Sequence, residues 1–455
     1  CPSRPLKLTQ KQREQLNRPR PVLFALVAGA FCLPWIVLFA ANSYLRQQQQ
    51  QVDAQAKHFF DQVLQYASND SAEQFDRLSA QLGFTPNAQY STPVITDGLA
   101  AAHFQAIDPL LTQFLQAETQ KISDPLDPLP LVLQQYLQQQ QTPLIKVQQH
   151  LLSSPDPQWD VDIERLTDVD YRSPGFFNVR NVQKLLLLKV LDAHQRHQPD
   201  EMLAALEASW RLNRAIAQRS DLSSQISLSI TAAQQASILR HLPNVPVYWQ
   251  PRLLEQSLQR PIMKGLRFEV WLRYLTLQAA WLPSLTPTDS ATDSATDSAT
   301  VSEKLRTTLT NRFSIQTYFK LVSVNNTQTV HRALDQLAAL NVCTTPQVVA
   351  EKIIANTHTA VWNNAIPLSP TVIARRWQTT GNRALALELS EYILALKHLY
   401  QTTDTWPAAL PTKPSLACPG KHWRYQKASD GTITLSLNSQ LLSPTAIPLS
   451  YRLRP

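Results

Sequence analysis

Six acidic side chains, Asp156, Asp160, Asp162, Glu164, Asp168 and Asp170, crowd the stretch PDPQWDVDIERLTDVDYRSPGF. Alternating carboxylates are what a calcium loop uses, and the spacing of Asp160, Asp162 and Glu164 resembles the opening of an EF-hand. The match stops there. Arg165 stands where a glycine would make the sharp turn, and Tyr171 replaces the bidentate glutamate. The acids read instead as a solvated connector that caps the helices after it. His194 and His197 form a His-x-x-His on one helix face, but no carboxylate motif completes a metal site and Asp192 falls off that face. They read as solvated histidines at a helix end, where positive charge suits the dipole. His331, His358, Asp335 and Glu351 are the residue types of a hydrolase site assembled from distant segments, yet nothing in their spacing selects them. No catalytic residue, metal or cofactor is assigned.

Glycine narrows the chemistry further. Only eight glycines occur in 455 residues, no two of them close together. A loop that cradles phosphate needs closely spaced residues without Cβ, so neither a dinucleotide fingerprint nor a P-loop can be written. The Gly-x-Ser-x-Gly nucleophile elbow fails for the same reason. Of four cysteines, Cys1 lies in a basic tail and Cys32 in an apolar run, which leaves Cys343 and Cys418. In an oxidising compartment these two form a disulfide or stand as separate thiols, and no Cys-x-x-Cys supports a zinc ribbon or a redox motif.

The compartment is set by the elements that precede these residues. From Pro21 to Ala41 no side chain is charged, and as a helix the run covers roughly 30 Å, the hydrocarbon thickness of a bilayer. It lacks the polar stripe of a soluble helix. Arg4, Lys7, Lys11, Arg13, Arg18 and Arg20 precede it against the single acid Glu14, so most of the +8 net charge lies in this tail. The positive-inside rule then keeps the tail in the cytoplasm and exports the body. The other readings are a cleaved signal, with a weak site near Ala40 and Ala41, and a buried soluble helix. A mildly basic body without a clustered basic face argues against nucleic acid as a partner.

Low glycine, abundant Leu, Gln and Ala, and 32 prolines as punctuation make the exported body mainly helical. Val52, Phe59, Phe60, Val63 and Leu64 recur at helical spacing, and SNDSAEQF predicts a break with a new cap at Ser71 or Asp70. Helices are predicted at about 104–121 and 130–152, around the proline-rich SDPLDPLPL spacer. Residues 178–243 predict three antiparallel helices, the second capped by Asp200 after Pro199, the third by Ser220 or Asp221. They resemble tetratricopeptide-like helical hairpins. Residues 261–283 predict a core helix whose arginines reach solvent along their stems. The Thr-Asp-Ser-Ala repeat from Thr288 to Ala299 predicts a disordered linker. Helices follow at about 303–322, 327–341, 346–363 and 368–400.

Toward residue 455 the pattern changes. HWRYQ and TITLSLN flank KASDG, whose Asp430-Gly431 signals a hairpin turn. With Trp406, Pro407, Ala409 and Leu410 ahead of CPGKHWRY, this segment resembles the C-terminal module of type II secretion pseudopilin-like proteins and of uncharacterised bacterial envelope proteins. In a pseudopilin the hydrophobic assembly helix lies directly before the module. Here the helix before it, about Asn382 to Tyr400, reads as amphipathic.

The organisation expected is therefore a cytoplasmic tail (1–20), a transmembrane anchor (21–44), a membrane-proximal helical region (45–155) and a helical-hairpin domain (156–283). A linker (284–302), a second helical region (303–375) and a pseudopilin-like helix plus β-hairpin module (376–455) follow. The expected function is that of a single-pass protein of the bacterial inner membrane, N-terminus cytoplasmic and body periplasmic, which binds protein partners as a non-enzymatic scaffold and takes no small-molecule substrate. The alternatives are an exported hydrolase and an accessory part of a type II secretion or pilus-like machine.

Overall fold

Helices make up most of the computed structural model, and one small antiparallel sheet completes it. Described are residues 21–63, 68–88, 90, 92–159, 161, 165, 177–255, 258–281, 321–340, 347–355, 370–437 and 448–454, with the backbone alone at 21–38, 41, 177, 277 and 279–281. Asp160, Asp162, Glu164, Asp168, Asp170, the Thr288–Ala299 repeat, Cys343 and His358 lie outside the described residues. The chain divides into two compact units, residues 1–57 with 288–324 and residues 58–287 with 325–455.

In the first unit lies most of α1, Pro21–Val63, one unbroken helix of 43 residues. It carries the uncharged run and continues through the glutamines, as the spacing of the apolar residues beyond them predicts. Leu45, Val52 and Ala56 are buried, whereas Phe39 and Tyr44 are largely exposed. Among the described residues no helix is long and apolar enough to cross a membrane; the side chains of residues 21–38 are not among them.

The second unit begins its helical body with α2, Asp70–Ala80. Its N-cap is Asn69, not Ser71 or Asp70: Asn69 Oδ1 accepts the Ala72 N–H at 3.0 Å. The Ser71 hydroxyl is committed elsewhere, donating to the Pro155 carbonyl at 2.6 Å. The chain leaves α2 through Gly83 at φ +85°, with Phe84 N–H bonded to Ser79 O and Gly83 N–H to Ala80 O, the paired bonds of a Schellman cap. α3, Gly98–Gln120, is capped by Asp97, and α4, Leu131–Gln139, and α5, Gln141–Ser153, follow.

The three helices expected over 178–243 are present as α6, Phe177–Gln195, α7, Pro199–Ala217, and α8, Leu222–His241. Asp221 caps α8 by accepting the Ser224 N–H at 2.8 Å. Asp200 does not cap α7. Pro199 is its first residue and Gln198 its N-cap, because proline's fixed φ suits N1, and Asp200 and Glu201 sit in the first turn facing the dipole. Between the three helices runs a fully buried polar ladder. Gln183 Nε2 donates to Asn213 Oδ1 at 2.8 Å, Thr231 Oγ1 donates to the same oxygen at 2.6 Å, and Asn213 Nδ2 donates to Gln235 Oε1 at 3.0 Å. Leu185 to Leu188 are buried beside it, in a core that gathers side chains from α2 to α9.

Beyond α9, Trp249–Glu255, α10 spans Gln259–Trp281. It buries Ile262, Met263, Leu266, Phe268, Trp271 and Tyr274 and turns Arg267 and Arg273 outward to Asp335 and Glu269. α11 runs through residues 321–338 without the break predicted near 323–326. Ser323 and Asn326, which fall between the two predicted helices, are buried within this one. α12 is Gln347–Ala355 and α13 Pro370–Thr403.

α13 corrects the amphipathic reading of Asn382–Tyr400. Every residue from Leu385 to Leu394 is buried, Glu388 and Glu391 included. Leu387 and Leu394 enter the core of the helical body, while Leu385, Leu389, Tyr392, Ile393 and Leu396 pack on the sheet. A helix covered on all sides has no polar face to show.

The sheet has four strands where two are predicted: β1, Lys413–Pro414, β2, His422–Lys427, β3, Ile433–Leu437, and β4, Ser450–Leu453, antiparallel in that order. β2 and β3 flank the expected turn, where Gly431 takes φ +81°. β1 is too short, and holds a proline, and β4 is too short to give an alternating signal. On one face of the sheet Trp423 pairs with Leu437 and Leu435 with Tyr451, and all four are buried against α13.

Candidate functional site

A cluster of ionisable side chains is built where the sheet joins the helical body. Asp124 comes from the SDPLDPLPL spacer, Arg240 and His241 from the end of α8, Lys397 from α13 and Tyr451 from β4. Tyr451 donates its phenolic O–H to Asp124 Oδ1 at 2.6 Å, and His241 Nδ1 lies 3.0 Å from the same oxygen and 2.7 Å from the Tyr451 oxygen. With Nδ1 as the donor, both hydrogen bonds converge on the carboxylate. Lys397 Nζ donates to Asp124 Oδ2 at 2.9 Å and to the Arg240 carbonyl at 2.6 Å. Arg240, fully buried, donates to the Thr119 and Lys121 carbonyls at the end of α3 and lies over the Tyr451 ring. Backbone completes the joint, with Arg452 N–H on the Ile122 carbonyl at 2.7 Å.

The electrostatics follow from this packing. Burial raises the Asp124 carboxyl, but the His241 hydrogen bond, the Lys397 charge and the Tyr451 hydroxyl outweigh it and hold the group down at about 2. Burial lowers His241 and Lys397 and brings Arg240 down to about 10. The cluster thus holds a neutral imidazole, an ionised carboxylate and two buried cations whose donors cap the ends of α3 and α8. Both Asp124 oxygens, the Tyr451 hydroxyl, His241 Nδ1 and the Lys397 ammonium are spent on each other and on nearby carbonyls, whereas His241 Nε2 and Arg240 Nε and Nη1 are buried without a hydrogen-bond partner among the described residues. Chemically it is a latch.

A second buried carboxylate organises the other end of the body. Asp76 accepts from Asn87 N–H and Nδ2, from Tyr90 O–H at 2.6 Å and from Trp159 Nε1 at 3.3 Å. Burial outweighs these bonds and pushes it up to about 6. On α13, Glu388 accepts from Ser415 Oγ at 2.7 Å, Trp423 Nε1 at 3.1 Å and the Ala417 N–H. Cys418 beside it is buried and disulfide-bonded to a partner side chain outside the described residues.

The residues singled out in the sequence do not converge. His331 is half-buried and lies against Trp271 with ring centroids 4.2 Å apart and planes 33° from parallel, and burial holds its imidazole down at about 4. Asp335 pairs with Arg267 at 2.5 Å, and Glu351 accepts from Gln347 one turn away. His194 is half-buried and lowered by that burial, not solvated and charged. His197 ends α6 at φ +55°, with Gln198 N–H on the Ala193 carbonyl. Asp156 pairs with Arg214 through both carboxylate oxygens. Among the described residues no three His, Cys, Asp or Glu side chains gather to hold a metal. Asp124, His241, Lys397 and Tyr451 escape sequence reasoning because their bonds span 117 to 327 positions.

One open cavity accompanies these clusters, a cleft of about 500 Å³ between α4–α5 on one side and the α6–α7 junction on the other. It is lined by four carboxamides, Gln134, Gln138, Gln141 and Gln195, by four charged side chains, and by Leu137 and Leu144. The charges that line it are matched, Lys189 with Glu201 at 3.3 Å and Arg196 with Asp192 at 2.6 Å. No known protein family, no curated protein and no solved structure matches the chain.

Proposed function

We propose that the chain is a single-pass, membrane-anchored envelope protein, its basic tail cytoplasmic and its body periplasmic, which works as a non-enzymatic scaffold for other proteins. The observation that carries this reading is the continuity of α1. A helix that bears an uncharged run of bilayer length and continues unbroken into glutamine-rich, water-compatible sequence is a rigid post. Phe39 and Tyr44 stand largely exposed where the run gives way to Arg46, as aromatic and basic anchors do at a membrane interface. In this setting Cys418 is oxidised, and Cys343 is its partner. The helical hairpins of α6 to α8, which we read as tetratricopeptide-like, form the buried spine of the body, and the helices packed around that spine carry the surface for partners.

A reporter fused after Pro455 should be active only outside the cytoplasm, and the protein should resist salt extraction from vesicles. Crosslinking in the native membrane should retrieve a reproducible protein partner. A reporter active only inside the cell, or release by gentle salt washing, overturns the reading. Secretion-system subunits as the captured partners would favour the machine component instead. Against assembly through α13 stands its complete burial from Leu385 to Leu394, since a helix that polymerises needs an uncovered face.

A further inference from the structure

We propose that the cleft between α4–α5 and the α6–α7 junction binds an extended, uncharged polypeptide segment of a partner protein. The chain shows at one edge of the cleft how such a segment is held. Gln195 grips the spacer strand through both ends of its carboxamide, accepting the Leu129 N–H at 3.0 Å and donating to the Asp127 carbonyl at 2.8 Å. Gln134 donates to the Leu129 carbonyl at 2.8 Å. A carboxamide is a peptide group on a side chain, so this is the pairing by which one extended backbone recognises another.

Farther along the same wall Gln138 and Gln141 are exposed. Gln138 lies one helical turn after Gln134, so the two share a face of α4. These carboxamides are positioned to continue what Gln195 and Gln134 begin. The buried Leu137 and Leu144 floor the cleft and receive an aliphatic side chain of the segment. The four charged side chains lining the cleft are already paired with each other, which disfavours a charged ligand. None of the lining residues is aromatic, so a sugar would find no ring on which to stack. The volume is in the range of sites that enclose a few residues of ligand. A segment like the spacer itself, with proline holding it extended at low entropic cost, fits best.

This assignment rests on the scaffold reading but is tested apart from it. A random-peptide display library is panned against the full-length protein in detergent, with the Gln138→Ala/Gln141→Ala double variant as the counter-target. Both side chains are exposed, so the variant should keep the wild-type melting temperature. Peptides enriched by the wild type should bind the double variant at least about tenfold more weakly, and Leu144→Ala should weaken them as well. If the enriched peptides bind wild type and double variant equally, or if none is enriched, the assignment is overturned. Membrane crosslinking separates the two ideas. A partner captured equally by wild type and double variant leaves the scaffold standing and removes the cleft, whereas cleft-dependent peptide binding without any crosslinked partner does the reverse.

Discussion

Tyr451 on β4 donates a 2.6 Å hydrogen bond to Asp124, a residue 327 positions earlier in the chain. The bond ties the sheet to the spacer after α3, and the tyrosine is buried completely. Tyr451→Phe keeps the ring against Arg240 and removes only the donor. A hydrogen bond to a charged group contributes about 1.5–3 kcal/mol, so urea unfolding should show a loss in that range with the m-value unchanged.

Lys397→Met should lower stability by about 2 kcal/mol, less than the loss of one partner from a fully enclosed ion pair, because water reaches Asp124. The carboxylate is 37% exposed. The effect carries a pH signature. A carboxyl depressed to about 2 contributes stability that is complete above its ordinary range and is lost as pH falls from about 4 toward about 2. In the Lys397→Met protein the Asp124 group rises toward its ordinary value, and the acid limb of the unfolding free energy should flatten there.

Asp76 should act in the opposite sense. Its folded value, about 6 against 3.8, means that the folded state holds a proton that the unfolded chain has released. Its contribution to stability is then greatest below about pH 4 and falls as pH rises to about 6, by a total on the order of 3 kcal/mol. Asp76→Asn should abolish that slope. Urea midpoints measured across this window for both proteins check it, and an unchanged slope in the variant refutes it.

Local punctuation made much of this legible in the sequence. Pro199 and Asp221 delimit α7 and α8, and Asp430-Gly431 marks the β2–β3 turn, because caps and turns are decided within a few residues. What escaped depends on neighbours far along the chain. α13 reads as amphipathic since its pattern cannot reveal that the sheet covers one side and the helical body the other. β4 gains its role from Leu435 and Asp124, and Asp124 sits in a proline-rich stretch that reads only as a spacer. His331 and Asp335 look like chemistry by type alone, whereas their partners, Trp271 and Arg267, make them parts of the packing.

Gly83 and Gly420 separate two costs of a side chain. Both have positive φ, but a Cβ on Gly83 would lie 2.1 Å from the Ala101 nitrogen, while one on Gly420 would meet nothing within 4 Å. Gly420→Ala should therefore cost only the left-handed backbone penalty, about 1 kcal/mol. Gly83→Ala must also push α3 away from the end of α2 and should cost about 3 kcal/mol or more. Thermal and urea unfolding of the two variants measure the difference.

Asn213→Ala should be among the most damaging single changes in the α6–α8 unit. It strands Gln183 Nε2 from one of its acceptors, removes one from the Thr231 hydroxyl and deprives Gln235 Oε1 of its donor, all in a dry interior. A loss of about 3 kcal/mol is expected. Asn213→Asp, which keeps the shape and the shared acceptor but loses the donor, should unfold more readily still at neutral pH than at pH 4, which differential scanning fluorimetry can read.

The dependence of Asp124 on β4 has a consequence for biogenesis. A chain emerging from the ribosome delivers the spacer, α8 and α13 before the tyrosine that closes them. Until then a carboxylate, an ammonium and a guanidinium wait half-assembled, along with an uncovered flank of α13 and the bare edge of β3. Closure of the sheet on the helical body is consequently a late step, and nascent chains halted short of Ser450 should fall to proteases more readily than the full chain.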